Sequence, residues 1–429
     1  MGLKPQQLRG RARSWAIGLV LLLGTALLLL SVNQPAPPVA ERLAWRQAFV
    51  AALHGPLDEA PPYDDRSLRF ADLSLRQFVP LALPGNTVRL RLSNQFGDGP
   101  LRIAAAQLAW RAPVGGAAIR PGSARPLRFT GQPTVTLEPG RTVLSDPVEL
   151  PAVAPDTDLA VSFYLNQPTP RASWHLVGSR SSYRSPPGNH IESTVLPQAE
   201  MSRSLFFIAG VEVLADEAAA TWVGFGDSIT DGNGHRLDAD ASWPGQVSQR
   251  WRQGRSGPPV GMLNAGMSGN RLLSAEVGPS GLQRFDRDVL ALDGVRGVVI
   301  LIGINDLAGT ADAEDMPATV QRLIDGQTEL ARRARERGLK VVGATLTPAQ
   351  GGVYGRVEVE AGRQQLNRWI RSAGVFDAVV DLDAALRDPA APHRIRAELT
   401  RDGLHPDDEG YRVIGAAVVK TLADAGLQR

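Results

Sequence analysis

Thr221-Trp222-Val223-Gly224-Phe225-Gly226-Asp227-Ser228-Ile229-Thr230 is the stretch whose reading decides the fold. Its first five residues make a short apolar run, the pattern of a central parallel strand buried on both faces. The run ends at Gly226-Asp227, so Ser228 stands where a strand stops and a turn begins. Open α/β sheets bind their ligands beyond the carboxyl ends of their strands. A hydroxyl here is therefore a candidate nucleophile.

Working outward, apolar runs alternate with helical segments over residues 218–429. Strands are expected at 221–226, 260–264, 297–302, 340–345 and 378–382. Val320, Leu323, Ile324, Leu330, Ala331 and Ala334 fit one face of a helix over 315–336, closed by Gly338. Ile414, Ala417, Val418, Thr421 and Leu422 mark a last helix. Such alternation implies a parallel sheet covered by helices on both faces.

Residues 45–214 follow another rule. Val88, Leu90 and Leu92 alternate with Arg89 and Arg91, and Leu159, Val161, Phe163 and Leu165 repeat the pattern. Pro84-Gly85, Gly97-Asp98-Gly99-Pro100 and Pro139-Gly140 punctuate the runs. Many short strands with such turns predict an all-β sandwich. The small, acidic stretch 214–220 reads as a linker between the two regions.

The chain has 429 residues, more than one ordinary core accommodates. A net charge of +2 with no basic block gives no support to nucleic-acid binding. The absence of cysteine excludes disulfides, a thiolate nucleophile and Cys-based zinc sites. Residues 1–44 form a separate segment. Lys4, Arg9, Arg11 and Arg13 precede a charge-free stretch, 15–32, near the ~18-residue length that spans a bilayer. The expectation is an exported protein held in the membrane by this segment, or secreted after its cleavage as a signal. The three prolines of 33–40 predict a stiff connector.

A serine hydroxyl needs a base to take its proton as it attacks. Of six histidines, only His405 has an acid at short range in a loop-like setting, in Asp402-Gly403-Leu404-His405-Pro406. Asp402 would fix the tautomer of His405 and stabilise the imidazolium. Read alone, the same five residues also fit a capped turn that opens the last helix. The oxyanion formed on ester attack needs preorganised donors. Asn305, in Gly303-Ile304-Asn305-Asp306, follows the third apolar run, and Gly269 follows the second, in Asn264-Ala265-Gly266-Met267-Ser268-Gly269-Asn270. The Ser228 N–H would complete the set. Asn and Gly after strands are also ordinary turn formers.

Taken together, Gly226-Asp227-Ser228, Gly269, Gly303-x-Asn305-Asp306 and Asp402-x-x-His405 resemble the SGNH hydrolases, also called the GDSL esterases, in family order. The resemblance covers about 219–429. It implies a flavodoxin-like α/β/α sandwich, with Ser228 as nucleophile, Gly269 and Asn305 as oxyanion donors, and Asp402 and His405 completing the triad. The elbow G-x-S-x-G of the α/β-hydrolases is absent, since position 230 is Thr. Trp243-Pro244, Gly269-Asn270-Arg271-Leu272-Leu273 and Arg284-Phe285-Asp286-Arg287-Asp288 are similar to the xylanase-associated esterase branch, which implies acetyl esters of plant polysaccharides.

The expectation is a serine esterase for small-molecule or polysaccharide acyl esters, with no metal or organic cofactor. Asp231 and Arg271 are candidate substrate contacts, although charge pairing within the loop explains them equally well. Trp174-His175 fits a sugar platform less well than a sandwich core. Asn94-Gln95-Phe96-Gly97 reads as a turn. Two rivals remain open: a lipase-like or thioesterase-like hydrolase of other acyl esters, and a non-catalytic carbohydrate-binding envelope protein. Dinucleotide binding is disfavoured, because Gly224-Phe225-Gly226 lacks the third fingerprint glycine at Ile229.

Overall fold

Alternation in the first half becomes antiparallel sheet. One sheet runs Leu43–Val50, Ile208–Asp216, Thr87–Ser93, Thr142–Leu144, with Val148–Glu149 also pairing to Thr87–Ser93. The other runs Glu200–Ser202, Ser182–Pro187, Leu73–Val79, Leu159–Leu165, Ala105–Trp110, Arg125–Pro126. Val88, Leu90 and Leu92 of the first sheet and Leu75, Val79, Leu108 and Val161 of the second share one apolar core. Arg89 and Arg91 lie on the opposite face, where both pair with Glu212 of the neighbouring strand.

These observations come from a computed structural model that describes residues 1–2, 42–57, 69–154, 156–253 and 257–428. The expected anchor or signal and the proline-rich connector lie outside the described residues. Among those described, no helix is long and apolar enough to cross a membrane.

The second sheet is covered on both faces. Leu159, Val161, Phe163 and Leu165 are buried, as their alternation predicts, but so are Ala160 and Ser162 between them. Ala160 packs in a small cluster with Phe78, Ala109 and Ile119. Ser162 lies under Arg76, itself fully buried, which donates to Ser162 Oγ at 3.0 Å and to the carbonyls of Ala117, Ile191 and Ser193 at 2.8–2.9 Å. A buried guanidinium with this many acceptors ties two loops across the outer face.

In the second half, parallel strands β1 (Ala220–Gly226), β2 (Val260–Gly266), β3 (Val295–Leu301), β4 (Lys340–Ala344) and β5 (Ala378–Val380) form one sheet. Their spatial order is β2-β1-β3-β4-β5. This is the flavodoxin-like winding, whose order reverses at the gap between β1 and β3. Helices α1 (Ser228–Asp231), α2 (Trp243–Arg252), α3 (Gly281–Phe285), α4 (Ile304–Ala308), α5 (Met316–Glu336), α6 (Val357–Ser372), α7 (Leu382–Leu386) and α8 (Asp408–Asp424) connect and follow the strands. The predicted stripe of α5 is buried at Val320, Leu323, Leu330, Ala331 and Ala334. Gly338, at φ +74°, ends the segment.

The expected linker is instead a tight turn. Ala219 N–H donates to Asp216 O at 2.8 Å, and Ala218 N–H to the Asp216 carboxylate at 2.7 Å. Strand Ile208–Asp216 therefore runs almost directly into β1. Hydrogen bonds also cross between the halves, from Gln47 N–H to Asp293 O at 3.0 Å and from Arg287 Nη2 to Leu53 O at 2.9 Å. Arg111 forks onto Asp238 with two 2.8 Å bonds.

Candidate active site

The winding order brings three loops side by side. Ser228 follows β1, the 267–270 loop follows β2, and Asn305 follows β3. All three leave the same sheet edge, at the point where the winding reverses.

Ser228 opens α1, a single helical turn. Asp227 caps it, its Oδ1 accepting from Ile229 N–H at 3.1 Å. The turn crosses the end of β2 so closely that a Cβ at Gly266 would lie 2.0 Å from Asp231 N. Asp227 is buried, and its Oδ2 has no hydrogen-bond partner. Burial pushes its carboxyl up to about 7, against the Ile229 N–H bond, while the nearby Asp306 charge adds to the rise.

The 400–406 loop presents the base. Asp402 Oδ1 accepts from the N–H groups of Leu404 and His405 at 2.9 and 2.7 Å. Thr400 Oγ1 donates to His405 O at 2.7 Å and accepts from Gly403 N–H at 3.0 Å. So held, Asp402 Oδ2 accepts from His405 Nδ1 at 2.7 Å, and His405 Nε2 faces Ser228 Oγ at 2.9 Å. Partial burial opposes ionisation of Asp402, but the His405 ring and the two backbone N–H groups outweigh it and hold the carboxyl below its ordinary value. With Nδ1 protonated against that carboxylate, Nε2 is the free acceptor for the serine proton.

Asn305 lies in the first turn of α4. Its Nδ2 donates to Asn270 O at 3.0 Å, and its Oδ1 accepts from Tyr354 O–H at 2.8 Å. These two bonds fix which way the amide points. Gly269 occupies a tight turn closed by Asn270 N–H to Met267 O at 3.0 Å. Its φ of +76° is the left-handed value that such a turn reserves for glycine. The Asp306 carboxylate accepts from Leu272 and Leu273 N–H at 2.8 and 2.9 Å, fixing the chain just beyond.

The two candidate substrate contacts part company. Asp231 is committed to partners within the fold. It is buried, and its carboxylate accepts from His175 Nε2 at 2.9 Å, from Ser268 N–H at 3.0 Å and from Ser268 Oγ at 2.6 Å. Arg271 is about a quarter exposed and pairs with Glu276 at 2.5 Å. Trp174 is a core residue, 2% exposed and stacked on Phe206. Asn94 spends its amide on the carbonyls of Gly99 and Leu137, as a turn residue does.

Three neighbours of the site make contacts that the sequence reading did not give. Tyr354 sits in a loop with no motif around it. His175 pairs with a carboxylate 56 positions away. Arg284 is noted in the sequence only as part of a similar stretch. In the fold it is buried and donates to Gly226 O at 2.7 Å, Ala265 O at 2.9 Å, Asn270 Oδ1 at 2.9 Å and Asp288 Oδ2 at 3.0 Å.

Residues 225–413 match the model of the GDSL-like lipase/acylhydrolase family. The α/β half is a GDSL-like hydrolase domain. The matched residues include Ser228, Gly269, Asn305, Asp402 and His405. Among solved structures, this chain is similar to a lipase/acylhydrolase from Enterococcus faecalis, at 23% identity over 48% of this chain and 96% of that one, with a TM-score of 0.36. A GDSL-like lipase from Bacteroides thetaiotaomicron is 19% identical over 48% and 88%, with a TM-score of 0.34. An acetyl xylan esterase from Geobacillus stearothermophilus is 20% identical over 49% and 96%, with a TM-score of 0.37. No curated protein matches the chain. The GDSL-like domain is that of an esterase or hydrolase.

Proposed function

We propose that the chain is a serine esterase that removes short acyl groups, acetyl above all, from a carbohydrate. The observation that carries this reading is the continuous relay from Asp402 through His405 to Ser228. Ser228 Oγ attacks the ester carbonyl while His405 Nε2 takes its proton. The oxyanion is held by the N–H groups of Ser228 and Gly269 and by the Asn305 amide, each such donor being worth roughly 3–4 kcal/mol. His405 then returns the proton to the departing alkoxide. Water, deprotonated by His405, releases the acid from the acyl-enzyme and restores Ser228 Oγ–H.

The open position of the relay suits an ester carried on a bulky alcohol. The Asp402 side chain is 55% exposed and that of His405 20%. The charges of Arg271 and Glu276, which pair with each other, are felt at the Tyr354 hydroxyl, and polar groups near the relay suit a hydroxylated leaving group. The N-terminal segment 15–32, with basic residues before it, supports export of the catalytic domain.

A specific observation favours a second reading. Val353 and Val357 are 85% and 70% exposed, on either side of the loop that carries Tyr354. Apolar side chains there would suit a longer acyl chain. Acetate release from acetylated xylan, run beside synthetic esters of increasing acyl length, decides between them. The proposal expects acetate release and a short-chain optimum, both lost in Ser228→Ala. An optimum at long chains without acetate release would establish the second reading. Undiminished hydrolysis by Ser228→Ala would remove the nucleophile assignment altogether.

A further inference from the structure

His175 belongs to the β-rich half, yet its ring ends one hydrogen bond from the loop that holds Gly269. Its Nε2 meets Asp231 Oδ1 at 2.9 Å, and the other oxygen of that carboxylate takes both the N–H and the Oγ–H of Ser268. Ser268 is bonded directly to Gly269, so its N–H and side chain anchor the residue that leads into the Gly269 peptide, one backbone rotation away from the Gly269 N–H, within the turn that Asn270 N–H to Met267 O closes at 3.0 Å. Asp231 also closes α1, its N–H donating to Asp227 O at 2.9 Å. A single carboxylate thus joins the helical turn of Ser228 to the turn of Gly269.

We propose that His175 is a positioning residue for the oxyanion site, acting through Asp231 and Ser268, and that the β-rich half is therefore a working part of the catalytic centre. The inference rests on the oxyanion role proposed above for Gly269.

The imidazole is well placed for this. Its Nδ1 lies 3.0 Å from Ala52 O and its Nε2 faces a carboxylate, so both nitrogens meet acceptors and both carry protons. Burial alone would lower its pKa, but the Asp231 charge and hydrogen bonds raise it to about 9. The partner carboxylate is correspondingly held below its ordinary value, burial being outweighed by His175 and Ser268. His175 is therefore an imidazolium at neutral pH, and it holds one Asp231 oxygen while the other receives Ser268. Asn264 Nδ2 adds a bond to Asp231 O at 3.1 Å. Without His175 the Asp231 carboxylate loses its bond on one oxygen and keeps only Ser268 on the other, so the anchor leading into the Gly269 peptide is loosened.

The test compares His175→Ala, His175→Gln and Ser268→Ala in the full chain, each assayed per titrated active site. A positioning role predicts that His175→Ala lowers kcat at least tenfold with KM within about twofold of wild type. His175→Gln, whose amide can donate to Asp231, should recover most of the loss. The His175→Ala/Ser268→Ala double variant should be no worse than the worse single, because both break the same chain. A purely structural role would lower the fraction of titratable sites and leave kcat per site unchanged, and that result overturns the proposal. If His175→Ala fails to fold with Asp231 unpaired, Ser268→Ala decides, and kcat within twofold of wild type overturns the proposal. Hydrolysis that survives Ser228→Ala would mark failure of the esterase reading instead.

Discussion

Asp402 is the most exposed member of the relay, yet both of its oxygens are committed: Oδ1 to two backbone N–H groups, Oδ2 to the His405 ring. Asn at 402 can keep the backbone bonds through its carbonyl oxygen. Its amide nitrogen would then face His405 Nδ1 as a second donor, favouring the tautomer with the proton on Nε2. That tautomer cannot accept the serine proton. Asp402→Asn is expected to fold as wild type does and to lose roughly 10³–10⁴ in kcat, measured by ester hydrolysis beside thermal melting. A variant that retains a tenth of wild-type kcat would contradict this.

Tyr354 acts through a single hydrogen bond on Asn305 Oδ1. Tyr354→Phe removes that bond and little volume. A loss of about 1 kcal/mol corresponds to roughly fivefold in kcat, with KM little changed. Sequence reasoning had no means of finding this residue. Asn305 follows an apolar run and is legible for that reason. Tyr354 reaches it from another loop, and only the fold creates the contact.

At the scale of elements, the end of the central sheet is fastened by α3. Its Arg284 takes the last carbonyl of β1, a carbonyl of β2 and the Asn270 side chain, and it lies 4.2 Å over the Phe225 ring. Asp288, one turn on, supplies the counter-charge from a π-helical turn, Asp286–Leu290. Removing one partner of such a buried pair costs about 3–5 kcal/mol. Arg284→Ala should therefore lower the urea midpoint by that equivalent, and a change below about 1 kcal/mol would show that the carbonyls rearrange cheaply. The five parallel strands and the stripe of α5 were legible because buried strands and amphipathic helices have distinct apolar periods. The double cover of the second β sheet was not. Ser162 reads as an outward residue, and only the distant Arg76 explains its burial.

At the scale of the whole molecule, the two halves share an ionic contact whose pH dependence has a definite sign. His175 rises from its ordinary 6.5 to about 9 in the folded chain. Its contribution is complete below pH 6.5 and is lost as pH rises through 9. Asp231 is shifted the other way from its ordinary 3.8, so its contribution is present above that pH and lost below it. His54, beside His175, is kept neutral by burial, with a pKa of about 4, so it stays out of the alkaline change. Wild-type stability should therefore fall between pH 6.5 and 9 by up to about 3 kcal/mol more than that of His175→Gln. Parallel melting curves for the two proteins across that range would contradict the assignment. The contact was illegible in the sequence for a plain reason: His175 and Asp231 belong to different periodic patterns, and no local spacing relates them. The same holds for the turn at 216–219, whose small acidic composition resembles a flexible connector but whose side chain and backbone close on themselves.

The central claim is covalent: Ser228 carries the acyl group between attack and hydrolysis. The most direct test is rapid quenching of the full chain during turnover of an activated acetyl ester, followed by mass analysis of its peptides. One acetyl group on the peptide that bears Ser228, absent from Ser228→Ala and longer-lived in Asp402→Asn, is the predicted result. Steady hydrolysis with no acylated Ser228 in either protein would contradict the account.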